Sequence, residues 1–558
     1  MKINRTIFVA LLSISIFVLL LFIWHLSWNR AIDPDEMESL SAASYLYNGS
    51  MIYRDFWQMH TPFFYYFLSP LFLFFTTMKI FYAGRLVMFL LLLINGFLVF
   101  IISKRLFKQT TAILSFLLYL TLLPVLDKMT EIRPDTLVVI FSNLSLIFLL
   151  NVRLSPGVSF FVSGVCGAFA ILSKQSGIFF VMGEGVFLIV NVLMQNGMPE
   201  NKDMFSIERF NSKNYFFFML GCLLPCIIFI LFLFTQGAYE AFIQWACNNE
   251  VLKTGLMLKT KYVNFSMNKY LSVIFYANFM IFILAGLLLM KVGKCSQRFL
   301  RACVLIFILL SVSLVGLYLT LNPWEQEFLL FSQYLVLLAA PMLLTFFEFI
   351  AELFQKGKRI LSLFLLVSMI MLLCLPPLIK AYHEQKFNLR WRLSYFDRII
   401  ESTKKKDRCL STEYSCPFRP SVYFYRLSLP WLKSRSINKL EEEILIDEIL
   451  HQNIVVIVPS WTYSLMPQLT SLIDKDYVLD KGFFYIPGQI WSARRNKLIN
   501  QDIIVDGYYR VVGWKGALID KKPVKDGIIY LSKGKHVFEM PKTQMVCGFR
   551  YDIELNKE

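Results

Sequence analysis

Apolar residues run along this chain in long blocks separated by short charged stretches. Eleven blocks are long enough, or nearly so, to cross a bilayer: 7–28, 81–103, 110–126, 136–152, 157–174, 177–194, 214–235, 271–291, 300–321, 328–350 and 359–380. A helix needs about 20 apolar residues to cross roughly 30 Å of hydrocarbon, so each block predicts one spanning helix. A further block, 62–78, is ambiguous, because counting it as a span reverses every loop after it. Basic residues decide the matter. Lys104, Arg105 and Lys108, then Arg153, then Lys202, Arg209 and Lys213 flank the earlier blocks; Lys291, Lys294, Arg298, Arg301, Lys356, Lys358 and Arg359 flank the later ones. They share a side with Lys2 and Arg5 only if 62–78 does not cross, which satisfies the positive-inside rule. Segment 62–78 therefore predicts a helix lying at, or dipping into, the outer interface. The outer side then carries the loops 29–62, 127–135, 174–176, 236–270 and 322–327, together with everything after Tyr382.

Beyond Tyr382 the apolar runs shorten. Glu441 to Leu450 predicts a helix and 453–458 a buried strand after it. From Asp502 onward, strand-like runs alternate with Asp506-Gly507, Lys525-Asp526-Gly527 and Lys533-Gly534-Lys535, the punctuation of hairpins. The fold class expected is a polytopic α-helical membrane protein of about 11 transmembrane helices, with a C-terminal extracytoplasmic α/β plus β-sandwich domain. The division expected is a membrane domain over 1–381, an α/β unit over 382–500 and a small β-rich unit over 501–558.

Composition agrees with this pattern. Hydrophobic residues make up 56% of the chain, and the mean hydropathy is +0.56, which excludes an ordinary soluble domain. No small-residue cleavage site follows the first block, which reads as a retained helix rather than a signal peptide. The net charge of +17 comes from basic residues at segment ends, where they meet anionic lipid headgroups; it does not point to nucleic acid. The ten cysteines lack metal-ligand spacing. Cys409 and Cys416 leave two readings equally open, a disulfide or free thiols. A monomer is expected.

The candidate chemistry lies in the outer loops. Asp33, Asp35 and Glu36 stand just past the first span, and the same loop continues through Arg54 and His60. Acids here also suit a helix N-terminus, since 39–43 looks helical. A second cluster, Glu131, Arg133 and Asp135, opens the fourth span, and Lys174 ends the fifth. Ionisable groups at that depth are costly unless paired or functional. Carboxylates beside Arg, Lys and His suit a lipid-linked phosphate donor. A sugar leaving with phosphate needs cationic stabilisation rather than a general acid, whereas the acceptor hydroxyl needs one base. Two carboxylates flanking the bond, as in a glycoside hydrolase, are not required.

Asp35-Glu36, Tyr47-Asn48-Gly49, Tyr53-Arg54-Asp55-Phe56, His60-Thr61-Pro62, Gly84-Arg85-Leu86, Arg133-Pro134-Asp135 and Ser173-Lys174-Gln175-Ser176-Gly177 occur in order along the first part of the chain. This series resembles the GT-C glycosyltransferases, in the branch of protein O-mannosyltransferases and lipid A aminoarabinose transferase. The likeness covers about residues 1–350 and is weaker from Gln333-Tyr334-Leu335 to Pro341. It implies a polyprenyl-phosphate-sugar donor, with an acceptor that is a lipid, a glycan or a protein, while direct displacement by one base predicts inversion at the anomeric carbon. It also implies a first-loop base at Asp35, with Glu36 beside it and Asp33 as an extra carboxylate. Arg54, His60, Arg133, Asp135 and Lys174 are then the candidate contacts to donor phosphate or substrate. Many members carry Lys-Pro-Pro where this chain has His60-Thr61-Pro62. No cofactor is expected. Some members bind a divalent metal, but His60 with Asp35 and Glu36 is too sparse a ligand set to call for one.

Lys253, Lys259 and Lys261 read as a solvated basic loop, Glu184 as a group paired inside the bundle, and Glu325, Gln326 and Glu327 as cavity-lining candidates. Two other functions compete. A flippase for lipid-linked sugar predicts midplane charges and repeated halves, and only Glu184 suits the first. A non-catalytic glycan-assembly protein would use the β-rich end and leave the first-loop acids idle.

Overall fold

The structure is a computed structural model of the chain. It describes residues 5–151, 153–195, 212–244, 297–319, 328–384, 389–410, 416–420, 439–452, 454–458, 466–480, 484–492, 497–512, 515–540, 546–552 and 556. The expected span 271–291, the lysines Lys253, Lys259 and Lys261, and the Glu325-Gln326-Glu327 stretch lie outside these residues.

The other expected spans are all met by helices. They are α1 (Arg5–Asn29), α4 (Lys79–Leu106), α5 (Gln109–Thr121), α7 (Asp135–Leu149), α8 (Pro156–Ser173), α9 (Ile178–Gln195), α10 (Ser212–Thr235), and, after the short α11 (Tyr239–Phe242), α12 (Gln297–Leu319), α13 (Leu329–Gln355) and α14 (Arg359–Glu384). Between them stand α2 (Pro34–Tyr47), α3 (Phe63–Leu68) and α6 (Leu123–Lys128). Among the described residues, four helices are long and apolar enough to cross a membrane, namely Lys79–Leu106, Pro156–Ser173, Lys213–Thr235 and Leu329–Gln355. The protein is a multi-pass membrane protein.

Two departures from the hydropathy pattern have physical causes. The block 110–126 is not one helix. Helix α5 stops at Thr121, Leu122 is extended, and α6 begins afresh with Pro124 in its first turn, where the missing N–H costs nothing. The block 62–78 supplies only α3 and the 3₁₀ turn Ser69–Leu73, broken at Ser69-Pro70. Those eleven residues span about 17 Å, too little to cross. Leu73 and Phe74 stay exposed, as suits a segment at an apolar interface.

Helices α8 and α10 pack backbone to backbone. A Cβ on Gly164 would sit 2.1 Å from the Phe218 carbonyl oxygen, and one on Gly221 would sit 2.1 Å from that of Phe161. Small residues permit this approach, which replaces the missing hydrophobic drive between helices in lipid.

The C-terminal part follows helix α15 (Leu389–Ser402) and includes α16 (Lys439–His451) and α17 (Pro467–Asp476). Its larger sheet has seven strands. β1 (Arg408–Leu410), β2 (Ile454–Ile457), β4 (Phe484–Ser492), β11 (Val546–Tyr551), β6 (Gly507–Val512) and β9 (Ile528–Leu531) follow in spatial order, and β3 (Tyr477–Asp480) pairs with β4. Four strands make the second sheet, in the order β5 (Lys497–Ile503), β10 (Gly534–Met540), β7 (Leu518–Ile519) and β8 (Lys522–Pro523). Phe538 of the smaller sheet stacks on Phe549 of the larger, at 4.8 Å between ring centroids, and meets Trp491 edge-on at 5.5 Å. This is the expected sandwich core. The larger sheet draws strands from both sides of residue 500, so the two stretches expected as separate units share hydrogen-bonded strands. The expected Lys525-Asp526-Gly527 hairpin turn has positive φ at Asp526 and Gly527, the signature of a type I′ turn. Cys409 and Cys416 are both buried free thiols. This part docks on the first outer loop: Tyr45 Oη donates to the Arg419 carbonyl at 3.2 Å, the Met78 N–H donates to Asp397 Oδ1 at 2.9 Å, and Phe72 meets Phe418.

Replacing Gly221 with leucine should force α8 and α10 apart. We expect a loss of about 1–3 kcal/mol, seen as a lower Tm of purified protein in detergent, with Gly185→Leu, whose Cβ meets open space, as the unchanged control.

Candidate active site

The site is built where α1 ends and α2 begins, at a bend of 77°. Asp33 has extended backbone angles, and its Oδ1 accepts from the Asp35 N–H at 2.9 Å; Glu36 reaches back, and its Oε2 accepts from the Asp33 N–H at 3.0 Å. This is a capping box, with Pro34 preset for the first helical position. The box turns Glu36 into the bundle. There Arg85 of α4 donates from Nε to Oε1 at 3.0 Å and from Nη2 to Oε2 at 2.7 Å, with both side chains fully buried. The Ile132 N–H also donates to Glu36 Oε1, at 3.1 Å. Burial pushes the Glu36 carboxyl up, but Arg85 outweighs it and holds the group below the usual carboxylate range. Arg85 further donates to the Ser27, Arg30 and Ala31 carbonyls at 2.8–3.1 Å, satisfying the open end of α1.

The loop between α6 and α7 brings the second cluster. Arg133 is buried at its centre, with Nη2 2.6 Å from Asp35 Oδ2, Nη1 3.4 Å from Asp33 Oδ1 and 3.2 Å from Glu131 Oε2, and Nε 3.7 Å from Asp135 Oδ2. These carboxylates outweigh the effect of burial and hold its pKa well above normal. Glu131 also receives Lys128 at 3.1 Å and Arg30, and Arg30 pairs with Asp127 at 3.1 Å. Asp135 opens α7, and Lys174, at the end of α8, donates to its Oδ1 at 2.7 Å. Both are buried. Asp35 is different: its side chain is 39% exposed.

His60 lies beside this cluster. Gln175 donates through Nε2 to the Met59 carbonyl, which turns its Oε1 toward His60 Nδ1 at 3.4 Å and places the ring proton there. Tyr53, in a left-handed conformation, donates its hydroxyl to the His60 carbonyl at 2.6 Å. Burial, aided by the charge of Lys174, pushes the imidazole down to about 4, so it is neutral at pH 7. Arg54 is not brought in. It is exposed and pairs with Asp55 at 2.8 Å. Seven of the eight expected site residues thus meet at one mouth of the bundle. Glu36 stands one layer deeper, with both oxygens engaged. Among the described residues no group of three or more His, Cys, Asp or Glu side chains is arranged to hold a metal ion. Glu184 donates nothing to this site; it sits in the bundle, accepting from Ser145 at 2.6 Å.

Sequence reasoning did not single out Arg30, Arg85 or Lys128 as parts of the site. For Arg85 a signal existed: a lone guanidinium inside an apolar helix requires a buried partner. Arg30 and Lys128 look like ordinary flanking charges.

A multi-pass helical bundle with an acidic first-loop helix at its mouth and a β-rich domain docked over that loop has a fold similar to that of solved membrane glycosyltransferase structures. Residues 59–201 match the profile of the dolichyl-phosphate-mannose-protein mannosyltransferase family. The fold is similar to that of ArnT from Cupriavidus metallidurans bound to undecaprenyl phosphate, at 12% identity, TM-score 0.52, and coverage of 87% of this chain and 98% of that one. Apo ArnT gives 11% identity, TM-score 0.52, and coverage of 86% and 97%. The Archaeoglobus fulgidus oligosaccharyltransferase tethered to an acceptor peptide gives 10% identity, TM-score 0.50, and coverage of 85% and 74%. No curated protein matches the chain by sequence.

Two predictions follow from this geometry. Glu36→Gln or Arg85→Met alone leaves a buried charge unpaired, and each should cost about 3–5 kcal/mol, read as loss of folded, membrane-inserted protein. His60 binds fewer protons folded than unfolded between its ordinary 6.5 and about 4. Its contribution is complete above 6.5 and is lost as pH falls through that window. The midpoint of thermal unfolding should therefore drop less steeply from pH 6.5 to 4.5 in His60→Gln than in wild type; parallel curves would refute the assignment.

Proposed function

We propose that this glycosyltransferase moves a monosaccharide from a polyprenyl-phosphate donor to a hydroxyl of a lipid, glycan or protein acceptor. The site is taken to face the outside of a bacterial inner membrane, with the N-terminus cytoplasmic and the C-terminal domain extracytoplasmic. The observation that carries the reading is the partly exposed Asp35 carboxylate standing against Arg133 at the mouth of an ion-paired cluster. Asp35 takes the acceptor proton as the acceptor oxygen attacks the anomeric carbon. The bond from that carbon to the phosphate oxygen breaks, and polyprenyl phosphate leaves. Its negative charge is met by Arg133 and Lys174, so no general acid is needed. A single displacement inverts the anomeric centre. Neutral His60 serves as a hydrogen-bonding group rather than a charge. The undecaprenyl phosphate in the similar ArnT structure supports a polyprenyl carrier.

The test is transfer of radiolabelled sugar from a panel of polyprenyl-phosphate monosaccharides by purified protein in lipid. Wild type should transfer label with one donor, and Asp35→Asn should lose about 10²–10⁴-fold in kcat with normal insertion. Turnover in Asp35→Asn within threefold of wild type overturns the base. Failure of wild type with every donor overturns the donor class.

A further inference from the structure

Among the described residues the site has no spare positive charge. Arg30, Arg85, Lys128, Arg133 and Lys174 are each ion-paired, against Asp33, Asp35, Glu36, Asp127, Glu131 and Asp135, five cations to six carboxylates. All five cations are at least 89% buried at the side chain, so solvent screens them little. From the described cations, an arriving phosphate gains a partner only by taking one from a carboxylate.

The carboxylates differ in how easily they yield. Glu36 and Glu131 are buried and held by two or more donors each. Asp135 is buried against Lys174. Asp33 caps α2 through its side chain. Asp35 is the most exposed of the six, with 39% of its side chain exposed. Its partner Arg133 carries a planar guanidinium suited to a bidentate grip on phosphate.

We infer that Arg133 is a latch: in the empty site it holds Asp35, and donor phosphate replaces Asp35 on its guanidinium, releasing the carboxylate toward the acceptor. This rests on the transferase reading above. The base and the donor phosphate then compete for one group, and acceptor deprotonation waits on donor loading. The acid that the reaction needs is also the acid that opposes donor binding.

The competition has a signature that a base with no latch lacks. Removing the Asp35 charge should tighten phosphate binding while abolishing turnover. Undecaprenyl phosphate is the probe, titrated into wild type, Asp35→Asn, Arg133→Gln and the double variant in lipid nanodiscs. Asp35→Asn should bind at least tenfold tighter than wild type, and that gain should shrink below threefold in the Arg133→Gln background. Asp55→Asn removes a carboxylate of similar exposure whose partner, Arg54, is outside the cluster, and it should change affinity by less than twofold. Unchanged or weaker binding in Asp35→Asn overturns the latch, as does an equal gain in Asp55→Asn or an undiminished gain without Arg133. If Arg133→Gln fails to insert, the Asp55→Asn comparison decides. Active Asp35→Asn protein would instead overturn the base assignment, an outcome read separately from affinity.

Discussion

The fully buried pair of Glu36 and Arg85 is the contact on which the site depends. Helix α1 ends in carbonyls without partners, and α2 begins almost at right angles to it. Arg85 meets the Ser27, Arg30 and Ala31 carbonyls, while Glu36 closes the capping box at the start of α2. A cation stands at a helix C-terminus and an anion at a helix N-terminus, each placed where the dipoles favour it. The Ile132 N–H on Glu36 then fastens the second outer loop to the first. One ion pair sets the bend, the register of Asp33 and Asp35, and the approach of Arg133. Such a pair is weak evidence for stability, since desolvation offsets most of the attraction. Its value here is geometric.

Burying this many charges is tolerable only as a network. Arg133 with four carboxylates, and Glu131 with three cations, satisfy one another in a region that water scarcely reaches. A cationic pocket left open at this depth would carry a large desolvation cost in the empty enzyme. Pairing removes that cost but also fills the described cations, so phosphate binding to any of them requires an exchange of partners. Asp35 is the most exposed of the carboxylates in the network.

What could be read from the chain divides along the range of the interactions. The spans were legible because hydropathy and flanking charge are local properties. The non-crossing of 62–78 was legible from Lys104, Arg105 and the later basic clusters, and Ser69-Pro70 explains it locally. The break at Leu122 could have been read from Pro124 but was hidden by the continuous apolarity around it. The two charged clusters were legible as candidates from resemblance and from the cost of charge near a membrane, but the direct contact of Asp35 with Arg133 was not. The partners of Arg30 and Arg85 were not legible either, because pairing across 49 to 101 positions depends on how helices pack. The sheet that crosses residue 500 was missed for the same reason: hairpin signals identify neighbouring strands, whereas β4 finds β11 more than fifty residues later.

The three first-loop acids also illustrate how a helix start sorts like residues into different work. Asp33, outside the helix, spends an oxygen on the Asp35 N–H. Glu36, one position past Asp35, is rotated by about 100° around the axis and points inward. Asp35 is left facing the mouth, close to Arg133 yet open to water. A base must reach the acceptor and must shed its partner without unfolding its surroundings. Glu36 fails both conditions, and Asp33 can meet the second only by uncapping α2, which typically costs about 1 kcal/mol. Asp35 is the member of the trio whose removal from its partner leaves the cap, the bend and the buried pair intact.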